Sequence, residues 1–203
     1  MNSLEFGQDM PSAGNMYLRV KQKGDFVQFI LGQKPSYVGK HFMEKENGWD
    51  VTSCPRINDN GEKCELCDLF FKAKAQEKKL KDAKAPQDEI DTASKEARKY
   101  SCAITFYFPV LDRTTGKFGV LQTTQGVRSK INEFHENGTD VFAKEFILRN
   151  TGKVGKDRYS LTMVDSADAK ELTPEDMQEW QKAKEYDMNL INDGASQTDE
   201  SLD

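Results

Sequence analysis

The chain has 203 residues, 36% of them hydrophobic and 31% charged, with a formal net charge of −5. Its longest apolar stretch, AITFYFPVL at 103–111, falls far short of the roughly 20 residues that a bilayer-spanning helix needs, while the total apolar content suffices for one core with a small satellite. The opening MNSLEFGQDMPSAGN has neither the basic start nor the apolar run of a secretion signal, so the sequence predicts an intracellular chain.

Charge is unevenly placed. Residues 165–203 hold 3 basic and 12 acidic side chains, a net −9, whereas residues 1–164 hold 26 basic and 22 acidic, a net +4. A mildly basic body followed by an acidic tail suits a polyanion-binding surface whose own tail competes for it or engages partners.

Residues 1–15 show no period and read as a flexible lead-in. MYLRVKQKGDFVQFIL (16–31) reads as two partly alternating strands around a KGD turn, the first with Tyr17, Leu18 and Val20, the second with Phe26, Val27, Phe29 and Ile30. The Cys- and His-bearing stretch that follows has no clear period. From Glu65 the spacing becomes helical, with Leu66, Leu69, Phe70 and Ala73 on one face, and Pro86 opens a second, more polar helix; a helical hairpin is predicted over about 65–99.

SCAITFYFPV (101–110) alternates, with Ile104, Phe106, Phe108 and Val110 on one face and Ala103, Thr105 and Tyr107 on the other. DRTTGKFGVLQT (112–123) turns at Gly116 into a further strand, so 101–123 predicts a hairpin. A short helix follows, with Val127, Ile131 and Phe134 inward and Gly138 past its end. EFILRNTGKVGKDRYSLTMV (145–164) is another hairpin pattern, its glycines bracketing a basic loop. Thr173 caps the helix expected within 166–191, whose first residue is Pro174 and whose first turn is acidic. The composition of 192–203 is that of a disordered acidic tail. Five or so strands with helices between and after them, and no βαβ alternation, predict a mainly β (α+β) fold over 16–165: a five-stranded OB-type barrel with additions.

Three of the four cysteines and one of the two histidines crowd into 41–67. Clustered thiols in an intracellular chain favour metal ligation over disulfides. Structural zinc takes four N or S ligands in a tetrahedron, and two cysteines two residues apart grip one ion from a tight knuckle. Cys64 and Cys67 supply that pair, with Cys67 at a helix start where the dipole favours thiolate. His41 and Cys54 complete a closed zinc subdomain over about 36–70, with NDNG (58–61) as the returning turn. One structural Zn2+ is therefore expected. Cys102 reads as a core or near-surface thiol and His135 as a solvated side chain.

The spacing His-x12-Cys-x9-Cys-x2-Cys resembles the zinc subdomain of the helix-destabilising, single-stranded-DNA-binding replication proteins of T-even-type phages. NGWDVTSC (47–54) is similar to that family's tryptophan-bearing strand into its first zinc cysteine, and ARKYSCAITFYFPVLD (97–112) to its basic-aromatic segment entering a barrel strand. The resemblance spans roughly 16–165. It implies an OB-fold core with a zinc lobe, a basic cleft between them, and an acidic C-terminal tail that contacts polymerase, helicase or primase loader, and recombinase. It also implies self-association on DNA, although residues 1–15 contain no Lys or Arg where the family carries a basic arm. The expected place of work is the cytoplasm of an infected bacterial host.

Sequence-tolerant binding of single strands needs cations for phosphates and aromatic faces for bases. Candidate stacking residues are Tyr37, Trp49, Tyr100, Tyr107 and Tyr159. Candidate phosphate contacts are Lys21, Lys23, Lys34, Lys40, Arg56, Arg98, Lys99, Arg113, Lys117, Arg149, Lys153, Lys156 and Arg158. No phosphate-binding glycine loop, spaced nucleophile and histidine, or convincing two-metal carboxylate set is present, so no enzyme is expected. The competing reading is a zinc-ribbon adaptor or regulator of protein or structured RNA, with the aromatics in its core.

Overall fold

The computed structural model describes residues 16–46, 48–59 and 61–194; the lead-in before residue 16 and the acidic residues 195–203 lie outside the described residues. In chain order the elements are β1 (Tyr17–Leu18), β2 (Phe26–Leu31), β3 (Ser36–Lys45), β4 (Gly48–Ser53), α1 (Pro55–Asn58), α2 (Glu65–Asp82) and α3 (Gln87–Lys99). Then follow β5 (Cys102–Asp112), β6 (Lys117–Thr124), α4 (Gln125–Glu136), β7 (Glu145–Asn150), β8 (Tyr159–Met163), α5 (Pro174–Glu185) and α6 (Asn189–Gly194). Among the described residues this is a mixed α/β structure on a mostly antiparallel eight-stranded sheet. The chain forms two compact units, one of 16–36 with Phe106–Gly194, the other of Tyr37–Thr105.

The first unit follows the strand order β1-β6-β5-β2-β7-β8. β5 lies between β6 and β2, and every residue from Phe106 to Asp112 is buried. A central strand covered on both sides has no solvent face for alternation to reveal. Tyr107, expected on an open face, is accordingly buried, its ring edge-on to Tyr17 at 6.0 Å. Phe29 and Phe146 stack at 5.9 Å within this core. Val127 and Ile131 of α4 are buried as their spacing predicts, and Phe134 packs on Phe146 at 5.7 Å.

The five-stranded closed barrel expected from the pattern does not form. β1 and β8 end the strand order without pairing with each other, leaving the sheet open among the described residues. Closure needs an edge strand long enough to ladder on both sides, and β1 offers two residues, both paired in parallel with β6. The KGD segment is likewise not a hairpin turn between partners. Gly24, at φ +92°, sends the chain toward β7: its N–H donates to the Asn150 carbonyl at 2.9 Å, and the Asn150 N–H donates to the Asp25 carbonyl at 2.9 Å.

The C-terminal helix is latched onto this sheet. Thr173 and Asp176 form the reciprocal cap that the sequence predicts at the start of α5. The Trp180 indole donates to the Leu31 carbonyl at 3.0 Å, and Gln33 donates to the carbonyls of Ala183 and Tyr186. Gly32 permits this contact, since a Cβ there would meet the Ala183 carbonyl carbon at 2.5 Å. Arg113, expected from sequence to meet phosphate, is enclosed instead. Its side chain is 5% exposed, 2.7 Å from Asp176 and 3.5 Å from Glu145, and it donates to the Lys170 carbonyl at 2.9 Å. A guanidinium so engaged is part of the scaffold.

The second unit starts with the β3–β4 hairpin, in register from Lys40↔Ser53 to Lys45↔Gly48, and β3 also pairs with β5. α2 and α3 form the predicted helical hairpin, with the buried Glu77 held between Lys74 and Lys81 at 2.7 and 2.6 Å. No helix among the described residues is long and apolar enough to cross a membrane.

The latch gives two expectations. Arg113→Ala leaves the buried Glu145 and the half-buried Asp176 without their cation, and should cost about 3 kcal/mol of unfolding free energy in urea. The Thr173 backbone N–H first, and the Arg113 guanidinium with it, hold Asp176 below its ordinary value of 3.8. A lowered carboxylate stabilises fully above the unfolded value, and that contribution fades as pH falls through the folded one. The destabilisation caused by Asp176→Asn should therefore be full at pH 7 and shrink toward pH 3, by urea melts at both pH values.

Candidate metal centre

His41 sits mid-way along β3, Cys54 just after β4, and Cys64 and Cys67 at the first turn of α2. Each element has a local reason to be there. The hairpin puts His41 opposite Thr52, so that strand pairing carries Cys54 back past it. The Cys54 N–H donates to the Gly39 carbonyl at 2.9 Å, which fixes the strand end, and Pro55 begins the short α1. Asn58 then braces Gly39 from both sides: its Oδ1 accepts the Gly39 N–H at 2.7 Å and its Nδ2 donates to the Gly39 carbonyl at 3.0 Å. Only glycine fits at 39, where a Cβ would lie 2.6 Å from the Ile57 Cβ and 2.9 Å from the Cys102 Sγ.

All four side chains are buried, and their ligand atoms lie within 4.8 Å of one another. Cys54 Sγ is 3.5 Å from Cys67 Sγ and 3.9 Å from Cys64 Sγ. His41 Nε2 is 3.3 Å from Cys64 Sγ and 3.6 Å from Cys67 Sγ. A tetrahedral ion with metal–sulfur bonds of about 2.3 Å and metal–nitrogen bonds of about 2.05 Å separates sulfurs by about 3.8 Å and sulfur from nitrogen by about 3.6 Å. The donors thus stand close to the spacing that one shared ion requires. A disulfide needs about 2.05 Å, and all four cysteines are free.

The second layer suits ligation. His41 Nδ1 lies 3.0 Å from the Tyr100 carbonyl; donation along that contact leaves Nε2 as the lone-pair nitrogen facing the sulfurs. Burial first, then the neighbouring Cys54 and Cys64 groups, push the Cys67 thiol up to about 12. Burial also pushes Cys64 up, but the backbone amides of Cys67 and Leu66 and the adjacent thiols outweigh it, so its thiol is lowered. A cation among water-excluded sulfurs favours their thiolate forms, the raised Cys67 included. Cys102, half-buried against this cluster, stays outside the four donors; burial first and Cys54 next push it up to about 12. The residues present therefore fit a metal ion held in a closed, four-ligand shell, with no open position for substrate.

The residues expected to meet nucleic acid sort into distinct roles. In the second unit, Tyr37 is 48% exposed, while Tyr100 is half-buried, its hydroxyl donating to Glu96 at 3.1 Å and its carbonyl facing His41. Lys40 is half-buried in β3. Arg56 pairs with Asp68 at 2.7 Å and lies over the Phe71 ring at 5.4 Å. Lys99 pairs with Glu96 at 2.5 Å, and Arg98 is exposed. In the first unit, Lys21, Lys23, Lys34, Lys117 and Lys153 are exposed, Arg149 lies over Phe26, and Arg158 lies over Tyr159. The side chains of Trp49 and Lys156 lie outside the described residues.

Four residues have places that the sequence alone does not reveal. Tyr100 reads as a stacking ring, yet its carbonyl orients His41. Asn58 and Gly39 are joined across 19 positions, and only the polar, small residues flanking the cluster hint at them. Phe26, which its apolar run places in the second strand, is 50% exposed.

A chain with this centre should carry one equivalent of divalent metal after exhaustive dialysis, measured by elemental mass spectrometry, and Cys54→Ser should carry far less. Because the ligands must shed protons, metal affinity should fall on acidification, followed by release to a chromophoric chelator between pH 7 and 5. No family model and no curated protein matches this chain, so its chemistry is read from its own residues.

Proposed function

We propose that this chain is a non-catalytic protein that binds single-stranded DNA without sequence preference. In this reading it coats and protects unpaired strands during phage DNA replication, recombination and repair, within an infected bacterial cell. The observation that carries the reading is the convergence of His41, Cys54, Cys64 and Cys67 at tetrahedral separations, because that is the specific part of the resemblance to the helix-destabilising family. Thiolate-rich tetrahedral sites favour zinc, and a shell closed by four protein ligands gives zinc a structural role. The open sheet of the first unit is taken as an OB-type scaffold.

Aromatics accompanied by cations support the nucleic-acid half. Tyr37, 48% exposed, lies three residues in sequence from Lys34 and from Lys40, and the Arg158 guanidinium stands 5.4 Å from the ring centroid of the half-buried Tyr159. Phosphates meet the cations while bases stack on rings, which makes affinity salt-dependent and sequence-tolerant. Preferring unpaired strands over duplex, the protein favours melted DNA by mass action. The acidic tail competes for the same cations and, displaced by DNA, recruits replication proteins. A second reading, a zinc-stabilised adaptor, draws on Leu69 and Phe71 of α2, 41% and 54% exposed, which suit a protein partner.

Fluorescence anisotropy of a labelled oligothymidylate separates the readings. The proposal expects binding tighter than to duplex of equal length, with log affinity falling by about 0.7 per phosphate contact for each unit of log salt. Absence of binding in dilute buffer refutes it and leaves the adaptor. Ending the chain after Gly194, which spares the fully buried Ile191, should tighten oligothymidylate binding at low salt; unchanged affinity removes the tail's competing role.

A further inference from the structure

Phe26 begins β2 and pairs directly with Arg149 of β7. Directly paired residues share a sheet face. On the opposite face, Val27, Leu148 and Leu161 are buried in the core. On this face Phe26 is 50% exposed, Arg149 and Thr162 are exposed, and Ser160, paired with Arg149, is half-buried. The Arg149 guanidinium carbon stands 5.2 Å from the Phe26 ring centroid, within the range of a cation–π contact. Arg149 has no carboxylate partner among the described residues.

The surroundings are cationic and held in place. The turn bearing Lys21 and Lys23 is fastened to β7 through the Gly24–Asn150 hydrogen bond at 2.9 Å. The Lys23 stem runs so close to Gly152, at φ +77°, that a Cβ there would meet it at 2.7 Å. Lys153 and Arg158 follow in the β7–β8 loop. Against these cations stand Asp25 and Asp157, and the Asp25 carboxylate already accepts the Lys21 and Gln22 amides at 3.2 and 2.7 Å. A half-exposed ring under a guanidinium that has no carboxylate partner among the described residues, with lysines in the adjoining turn and loop, matches a flat base joined to a phosphate.

The geometry points to a base-stacking subsite at Phe26–Arg149: one unpaired nucleobase of single-stranded DNA stacks on the Phe26 ring while Arg149 contacts the adjoining phosphate, with Lys21 and Lys23 placed for the next ones. This subsite rests on the DNA-binding reading above and adds a residue, Phe26, and a sheet face to it. Arg149 thereby serves two functions. It orients the ring in the free protein and neutralises backbone charge in the complex. A peptide partner would need an apolar pocket beside the ring, and the same-face neighbours here are the polar Ser160, Thr162 and Gln28 with a single half-buried apolar side chain, Ile147.

The test uses the full chain and labelled oligothymidylate, with metal content and melting temperature as controls for folding. Phe26→Ala should weaken binding roughly tenfold with an unchanged salt slope, as loss of one stack does, and Phe26→Tyr should restore it. Arg149→Ala should weaken binding and reduce the salt slope by about 0.7. In Phe26→Trp, the added indole emission should be quenched on titration with oligothymidylate. Wild-type affinity in Phe26→Ala overturns the subsite while leaving the DNA-binding reading intact, and so does an unquenched indole. An equal loss of duplex binding in Phe26→Ala overturns stacking as its cause. Failure of the wild-type chain itself to bind overturns both readings.

Discussion

Three sulfurs and one imidazole nitrogen converge in a space from which water is excluded, and the second unit is organised around that convergence. His41 arrives on a strand, Cys54 at a strand end, Cys64 and Cys67 on the first turn of a helix; the buried cluster where they meet consists of the three cysteines with Ile57, Leu66 and Cys102 around them. Left without a cation, the buried Cys67 thiol resists ionisation. With one, each ligand bond ties a separate segment to a common point, and binding free energy becomes folding free energy. Small units with few apolar residues commonly depend on such a centre.

The supporting contacts show how narrowly the donors are placed. Gly39 leaves room for Ile57 and Cys102, Asn58 fixes the Gly39 peptide from both sides, and the Tyr100 carbonyl selects which imidazole nitrogen faces the sulfurs. Asn58 comes from α1 and Tyr100 from the turn after α3, so the second layer reaches two elements that carry no ligand, while Gly39 shares β3 with His41. The first unit is held differently. Its sheet buries aromatic and aliphatic side chains, and a guanidinium shared between Asp176 and Glu145 secures the C-terminal helix.

What could be read from the sequence was local. The helix starts at Glu65 and Thr173, the glycine past α4, the β5–β6 turn at Gly116 and the ligand set all follow from spacing and cap chemistry within a few residues. Long-range pairing was not legible. Alternation in 101–110 suggested one wet face, but whether a strand is central or at an edge depends on partners far along the chain, and β5 is flanked on both sides. Arg113 looked like a surface cation because its partner Asp176 lies 63 positions away. Barrel closure failed for the same reason: strand number is a count, whereas closure depends on which edges meet. The exposure of Phe26 was not legible either, because hydrophobicity alone does not say which end of a strand is covered.

If the ion is what the donors imply, its absorption spectrum reports the shell directly. The most direct measurement is X-ray absorption at the zinc edge of purified, tag-free protein. The account predicts a first shell of three sulfurs at about 2.3 Å and one nitrogen at about 2.0–2.1 Å, with the sulfur contribution reduced in Cys54→Ser. A shell of oxygen and nitrogen alone, or protein that holds no stoichiometric metal after mild purification, would contradict it.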